Sequence, residues 1–127
     1  MNPALADLEC ALDRLEAVLL SPEEEKEPGT LAPPFRECFD LACAAIRETA
    51  DPGREDPSAP LPCLRMAFRA GWLWEEEVWL AMYRDWSHAT DGGIEDFGGF
   101  FRRLPHYLRA FERLGDALAR HRARPAS

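Results

Sequence analysis

Residues 64–88 read LRMAFRAGWLWEEEVWLAMYRDWSH, and their spacing decides the fold class. Leu64, Ala67 and Phe68 recur at helical intervals, which predicts a helix from about Leu61 to Ala70. Gly71 is a natural stop, because glycine accepts the left-handed conformation that ends helices. A second helix then starts near Trp74. Glu75, Glu76 and Glu77 suit the positive end of its dipole, and Val78, Trp79, Met82 and Trp86 supply its buried stripe. All four tryptophans of the chain lie between residues 72 and 86. The segment closes on Arg84 and His88, four apart and therefore neighbours on one helix face.

The same period extends in both directions, and no segment alternates as a strand does. Leu5, Leu8, Leu12, Leu15 and Leu19 predict a first helix from Pro3 to Leu20, closed by Ser21-Pro22. The acidic stretch SPEEEKEPGT reads as a solvated loop. A second helix opens near Pro33-Pro34 on the face Phe35, Phe39, Ala42/Cys43 and Ile46, and breaks before Asp51-Pro52-Gly53. DPGREDPSAPLP reads as a turn-rich connector. After Asp91-Gly92-Gly93, a last helical region runs from Ile94 to about Arg122. Its stripe is Phe97, Phe100/Phe101, Leu104, Tyr107/Leu108, Phe111, Leu114 and Leu118. Gly98-Gly99 and Pro105 are expected to kink or restart it. The expected fold is all-α, an up-and-down bundle of four to five helices. Residues 1–122 are expected to form its single domain and 123–127 a disordered tail.

Composition narrows the function. The chain has 127 residues and a formal charge of −8. Residues 1–60 carry 14 acidic and 5 basic side chains, and residues 61–127 carry 9 and 10. An acidic first half argues against general nucleic-acid binding, which needs a basic surface, though the second half can offer a local arginine patch. No apolar run is long enough to span a bilayer and no signal peptide is evident, so a cytoplasmic location is expected. Cys10, Cys38, Cys43 and Cys63 form no CxxC, and His88, His106 and His121 lie far from them in sequence. Small buried thiols are expected rather than a disulfide framework or a zinc site, and no metal or cofactor is assigned.

Individual residues admit two readings. Arg84 and His88 are either exposed cations at a helix C-terminus or a pair that holds an anion, with Asp85 or Asp91 as alternative charge between them. Trp79 fits the core. Trp72 and Trp74 fit a cap on the bundle or a cover for a dimer seam. Trp86 fits either the core or a stacking platform for a base. Phe100, Phe101, Arg102 and Arg103 form an aromatic–basic run that also fits a helix face ending in solvated arginines. His106 reads as structural or exposed, and His121 falls in the tail.

Three segments carry a resemblance. FRECFDLACAAIR (35–47) resembles the second helix of the small bacterial nucleotidyltransferase substrate-binding proteins, which show an aromatic pair around Glu/Thr-Phe-Glu-Leu-Ala. LRMAFRAGWLWEEEVWLAMYRDWSH is similar to their next signature, of the form REAFxxGLI…WLxM…RNxxSH. RLPHYLRAFERLGDAL (103–118) resembles their final helix. Together the likeness covers nearly the whole chain in one order.

The resemblance implies a HEPN-like helical bundle. It also implies a homodimer working beside a separately encoded minimal nucleotidyltransferase, often as a toxin–antitoxin pair. Active HEPN toxins use an Arg and a His separated by four to six residues to cleave RNA without metal. The His exchanges a proton with the 2′-hydroxyl or leaving oxygen while the Arg stabilises phosphate charge.

This chain departs from that pattern at the motif itself. Only Asp85, Trp86 and Ser87 separate Arg84 from His88, and the Arg-Asn dipeptide is missing. Counted from Trp79-Leu80-Ala81-Met82, Asp85 or Trp86 falls nearer the place of the family arginine. Thr90 stands where the family has a tyrosine that accepts a nucleotide. The expectation is therefore a non-catalytic accessory subunit that binds the nucleotidyltransferase and a nucleotide or RNA phosphate. Trp86, Ser87, Thr90, Arg102 and Arg103 would face the ligand, with Arg84 and His88 as the catalytic pair of an active chain. The alternatives are a divergent metal-independent HEPN ribonuclease toxin using His88 and Arg84, and a structural adaptor without a ligand.

Overall fold

A computed structural model of the chain describes residues 3–20, 28–91 except 51–59, and 97–123. Every element in them is a helix: α1 (Pro3–Leu19), α2 (Pro28–Ala50), α3 (Pro60–Ala70), α4 (Glu76–Asp91) and α5 (Phe97–Ala123). The all-α bundle expected from the periodicity is what forms. The acidic stretch at 21–27, the connector at 51–59, the Gly92-Gly93 break and tail residues 124–127 lie outside the described residues, while Ala123 closes α5.

The 23-residue α2 is the axis of the bundle and packs on all four other helices, most extensively on α1. Its residues Leu31, Phe35, Cys38, Phe39, Ala42 and Ile46 are fully buried. They meet Leu8 and Leu15 of α1 and Phe100, Leu104, Tyr107, Phe111, Leu114 and Leu118 of α5 in one continuous core. Phe35 sets its edge against Phe100 at 5.1 Å and stacks on Tyr107 at 5.6 Å, the offset arrangements that ring quadrupoles favour. Glu48 of α2 accepts a hydrogen bond from the Ala4 N–H at 3.3 Å, supplying a carboxylate to the N-terminus of α1, whose own first turn holds none.

Two helices run further than the sequence suggests. α2 begins at Pro28 rather than near Pro33-Pro34, with both prolines inside it. They lie in its second turn, past the four N–H groups that no helix bonds internally, so α2 gives up two ladder hydrogen bonds there. α5 is one helix through Gly98, Gly99 and Pro105, with no restart. The glycines fall in its first turn, and the Pro105 ring lies on the exposed side. The buried stripe from Phe100 to Leu118 crosses the proline without a break, so burial outweighs local propensity.

The turn between α3 and α4 follows the sequence more closely. Gly71 has φ +80°, its N–H donates to the Phe68 carbonyl, and the Trp72 N–H donates to the Ala67 carbonyl. This pair of bonds is the Schellman motif that ends helices at a glycine. α4 starts at Glu76, two residues later than its sequence suggests, because Glu75 adopts φ +58°. The Glu75 carbonyl then accepts from the Val78 and Trp79 N–H groups as the N-cap of α4.

Candidate functional site

α4 divides the residues of interest by face. Trp79, Met82 and Asp85 point into the bundle, with Trp79 set edge-on against Phe111 at 5.6 Å. Arg84 and His88 are exposed on the outer face, and Leu80, one turn before Arg84, is 45% exposed there. Leu80, Arg84 and His88 follow one another at intervals of four and form a short stripe with an apolar start and a cationic end. Among the described residues, neither Arg84 nor His88 pairs with a carboxylate.

Asp85 is the only buried charged residue among those described, at 2% exposure. It does not lie between Arg84 and His88. Its carboxylate faces α5, where Arg103 donates through Nε to Oδ2 at 3.0 Å and through a terminal nitrogen to Oδ1 at 2.9 Å. Tyr107, one turn further along α5, donates its hydroxyl to Oδ2 at 2.5 Å. Arg103 Nε also reaches the Tyr107 hydroxyl at 3.0 Å. A buried carboxylate thus receives a two-pronged guanidinium and a phenol, the arrangement that offsets removing its charge from water. The hydrogen bond to Asp85 holds the proton on Arg103 more firmly than usual. Burial, then the bond to Asp85, pushes the Tyr107 phenol well above its ordinary range.

The structure scatters the ligand-facing set. Arg103 is tied to Asp85, whereas Arg102 beside it is exposed. Phe100 is core, so the aromatic–basic run is divided between interior and surface. Trp86 is half-buried, donates its indole N–H to Asp40 of α2 at 2.9 Å and packs on Phe39 and Tyr83. Partial burial of its carboxyl pushes Asp40 up despite that bond and the nearby Arg36 and Arg47, although the residue as a whole is exposed. Thr90 returns its hydroxyl to the Trp86 carbonyl at 2.9 Å, and Ser87 is half-buried between them. These contacts join α4 to its neighbours or to itself. Arg84, His88 and Arg102 remain the exposed cations of the set.

Two open grooves lie elsewhere. One of about 250 Å³ is lined by Gly71, Trp72, Trp74, Arg120 and His121 among others. The adjoining one, of about 330 Å³, is lined by Trp74, Arg113, Asp116 and Arg120. Trp74 is 44% exposed and forms a wall of both, while Trp72 is buried with the His121 ring against it at 5.1 Å. His121 is therefore part of α5 rather than of a tail. Arg113 pairs with Glu75 at 3.0 Å beside the positive-φ turn. Sequence spacing could not find this corner, because it joins residues some forty positions apart; the crowding of Trp72 and Trp74 at a glycine stop was its one visible sign.

Cys38, Cys43 and Cys63 are buried as expected, but Cys10 is exposed on the outer side of α1, off the leucine stripe. All four are free. Among the described residues no group of three His, Cys, Asp or Glu side chains is placed to hold a metal ion, and no helix is long and apolar enough to cross a membrane. Compared with known proteins, the chain matches no family model, no curated protein and no solved structure.

Proposed function

We propose that the chain is a non-catalytic, HEPN-like accessory subunit of a two-component nucleotidyltransferase system of toxin–antitoxin type, acting as a homodimer in the cytoplasm. In this reading the outer face of α4 meets a separately encoded minimal nucleotidyltransferase, and Arg84 and His88 hold a phosphate of a nucleotide or RNA. The observation that carries it is the exposure of these two cations on one face with Asp85 turned away from them. Two cations on adjacent turns repel slightly when His88 is protonated, so an anion between them is welcome. Leu80 adds apolar surface to the same stripe, as the centre of an interface requires. The three segments that resemble the nucleotidyltransferase substrate-binding proteins give the partner its identity in this reading.

Co-expression with the product of the adjacent gene, which this reading requires to be a minimal nucleotidyltransferase, tests it. The expected outcome is a complex that survives purification and is weakened at least tenfold by Leu80→Asp, with labelled RNA or nucleotide binding reduced by Arg84→Ala and His88→Ala. Failure of the two proteins to associate would sink the accessory role. Growth arrest on expression of the chain alone, relieved by His88→Ala, would replace it with the ribonuclease reading.

A further inference from the structure

We propose that Cys43 and Cys63 are a redox-modifiable pair, which two-electron oxidation joins in a disulfide tying α3 to α2. The Cys63 Sγ lies 3.3 Å from the carbonyl oxygen of Cys43 and donates to it. The two thiols are close enough to perturb one another's protonation. Both side chains are nearly fully buried, at 4% and 2% exposure, in a contact between two different helices. A Cys63 sulfur held against the backbone of Cys43 is near the residue it must join, and the bond forms once the Cα atoms stand about 4.4–6.8 Å apart.

The two thiols share one buried environment in which the nearby Arg47 favours a thiolate on either sulfur. Either sulfur can therefore attack first, and both orders give the same disulfide. Cys38 is pushed up to about 12, chiefly by burial, and is inert by comparison. Cys10 is exposed on α1 and outside the pair.

A hydroperoxide is the oxidant this chemistry takes. With Cys63 first, its thiolate attacks one peroxide oxygen, the O–O bond breaks, and the departing oxygen leaves as water or an alcohol after taking up a proton. Cys63 is then a sulfenic acid. The Cys43 sulfur attacks the Cys63 sulfur, an S–S bond forms, and the S–OH oxygen leaves as water with the Cys43 proton. Two thiols have lost two electrons and two protons, and one peroxide has been reduced. Access comes through local opening of α3, an 11-residue helix that packs chiefly on α2 and α4. Closing the 43–63 loop covalently restricts the unfolded chain and holds α3, with the Gly71 turn that follows it, against α2.

The test uses the full chain with Cys10 and Cys38 changed to alanine, treated under native conditions with a small excess of hydrogen peroxide. Removing Cys38 is necessary because one tryptic peptide, residues 37–47, contains both Cys38 and Cys43. The expected product has lost two hydrogens, links peptide 37–47 to peptide 55–65, and returns to the starting mass with dithiothreitol. Its Tm rises on the order of 5–10 °C. Cys63→Ala on that background abolishes the link, and an unchanged near-ultraviolet circular dichroism spectrum certifies its fold. Sulfinic or sulfonic acids without a link, cross-linked dimers only, or a link formed only in denaturant would each overturn the proposal.

Discussion

The Tyr107 hydroxyl on α5 donates to the buried Asp85 carboxylate on α4 across 2.5 Å. Arg103 grips the same carboxylate with two nitrogens, so three hydrogen bonds fix the rotation of α4 about its own axis. That rotation sends Arg84 and His88 outward. The exposed face proposed to meet the partner is therefore set from the opposite side of the helix. Asp85→Ala leaves a phenol and a guanidinium without their acceptor, and is expected to cost about 2–3 kcal/mol in urea unfolding. Tyr107→Phe removes one bond and should cost about 1 kcal/mol. Equal effects of the two variants would mean that Arg103 contributes nothing.

The raised Tyr107 pKa gives an alkaline signature. The folded protein keeps the phenolic proton at pH values where the unfolded chain, with a pKa of about 10, has released it. Stability therefore falls as pH rises through and above that value. In a Tyr83→Phe variant, where Tyr107 is the remaining tyrosine, phenolate absorbance should appear only as the circular dichroism signal collapses. A reversible titration centred near 10 with the fold intact would contradict the buried hydrogen bonds.

What the sequence reveals and what it hides follow from range. The leucines of α1 and the aromatic stripe of α5 obey a period of about 3.6 residues, and burial follows that period closely. Helix boundaries were less legible at Pro33-Pro34 and Pro105, because a proline's local cost is visible in sequence while the packing that outweighs it is not. The division within the site is of the same kind. Arg102 and Arg103 look equivalent as neighbours, yet only Arg103 meets a carboxylate eighteen residues earlier. Asp85 gives no local sign that it faces inward. Nor does Trp86 show in sequence that its indole N–H will meet Asp40, forty-six residues away.

That contact makes a prediction with a sign. Burial raises the Asp40 pKa, so folding favours its protonated form and stability falls as pH climbs through the carboxylate range. Asp40→Asn keeps an oxygen to accept the Trp86 N–H but carries no charge. The variant is expected to match the parent in thermal unfolding near pH 3 and to equal or exceed it at pH 7. A variant less stable at pH 7 than at pH 3, relative to the parent, would show that Arg36 and Arg47 outweigh burial.

Glu75 holds a left-handed backbone conformation that costs a non-glycine residue about 1–2 kcal/mol. Its ion pair with Arg113 is half-exposed on both sides and returns little. Glu75→Gly should therefore leave stability unchanged or raise it by up to about 1 kcal/mol once the flexibility of glycine in the unfolded chain is counted. Arg113→Ala should change it by less than about 0.5 kcal/mol. A large loss in either variant would assign the turn and the Trp74 groove beside it a rigidity that these contacts do not explain.

Gly115 offers the opposite case, a helix interior glycine with no conformational reason to be one. It is buried in α5 where that helix meets α1, and its φ is not positive. A Cβ built there would meet Leu5 Cδ1 at 3.9 Å, an ordinary van der Waals separation, with nothing closer outside its own helix. Alanine at this position adds apolar contact and removes the entropy that glycine carries in the unfolded state. Gly115→Ala is therefore expected to stabilise the bundle by about 1 kcal/mol, read as a higher urea midpoint at unchanged slope. A lower midpoint would mean that α1 and α5 approach more closely in solution than 3.9 Å allows, and that the glycine is there to let them.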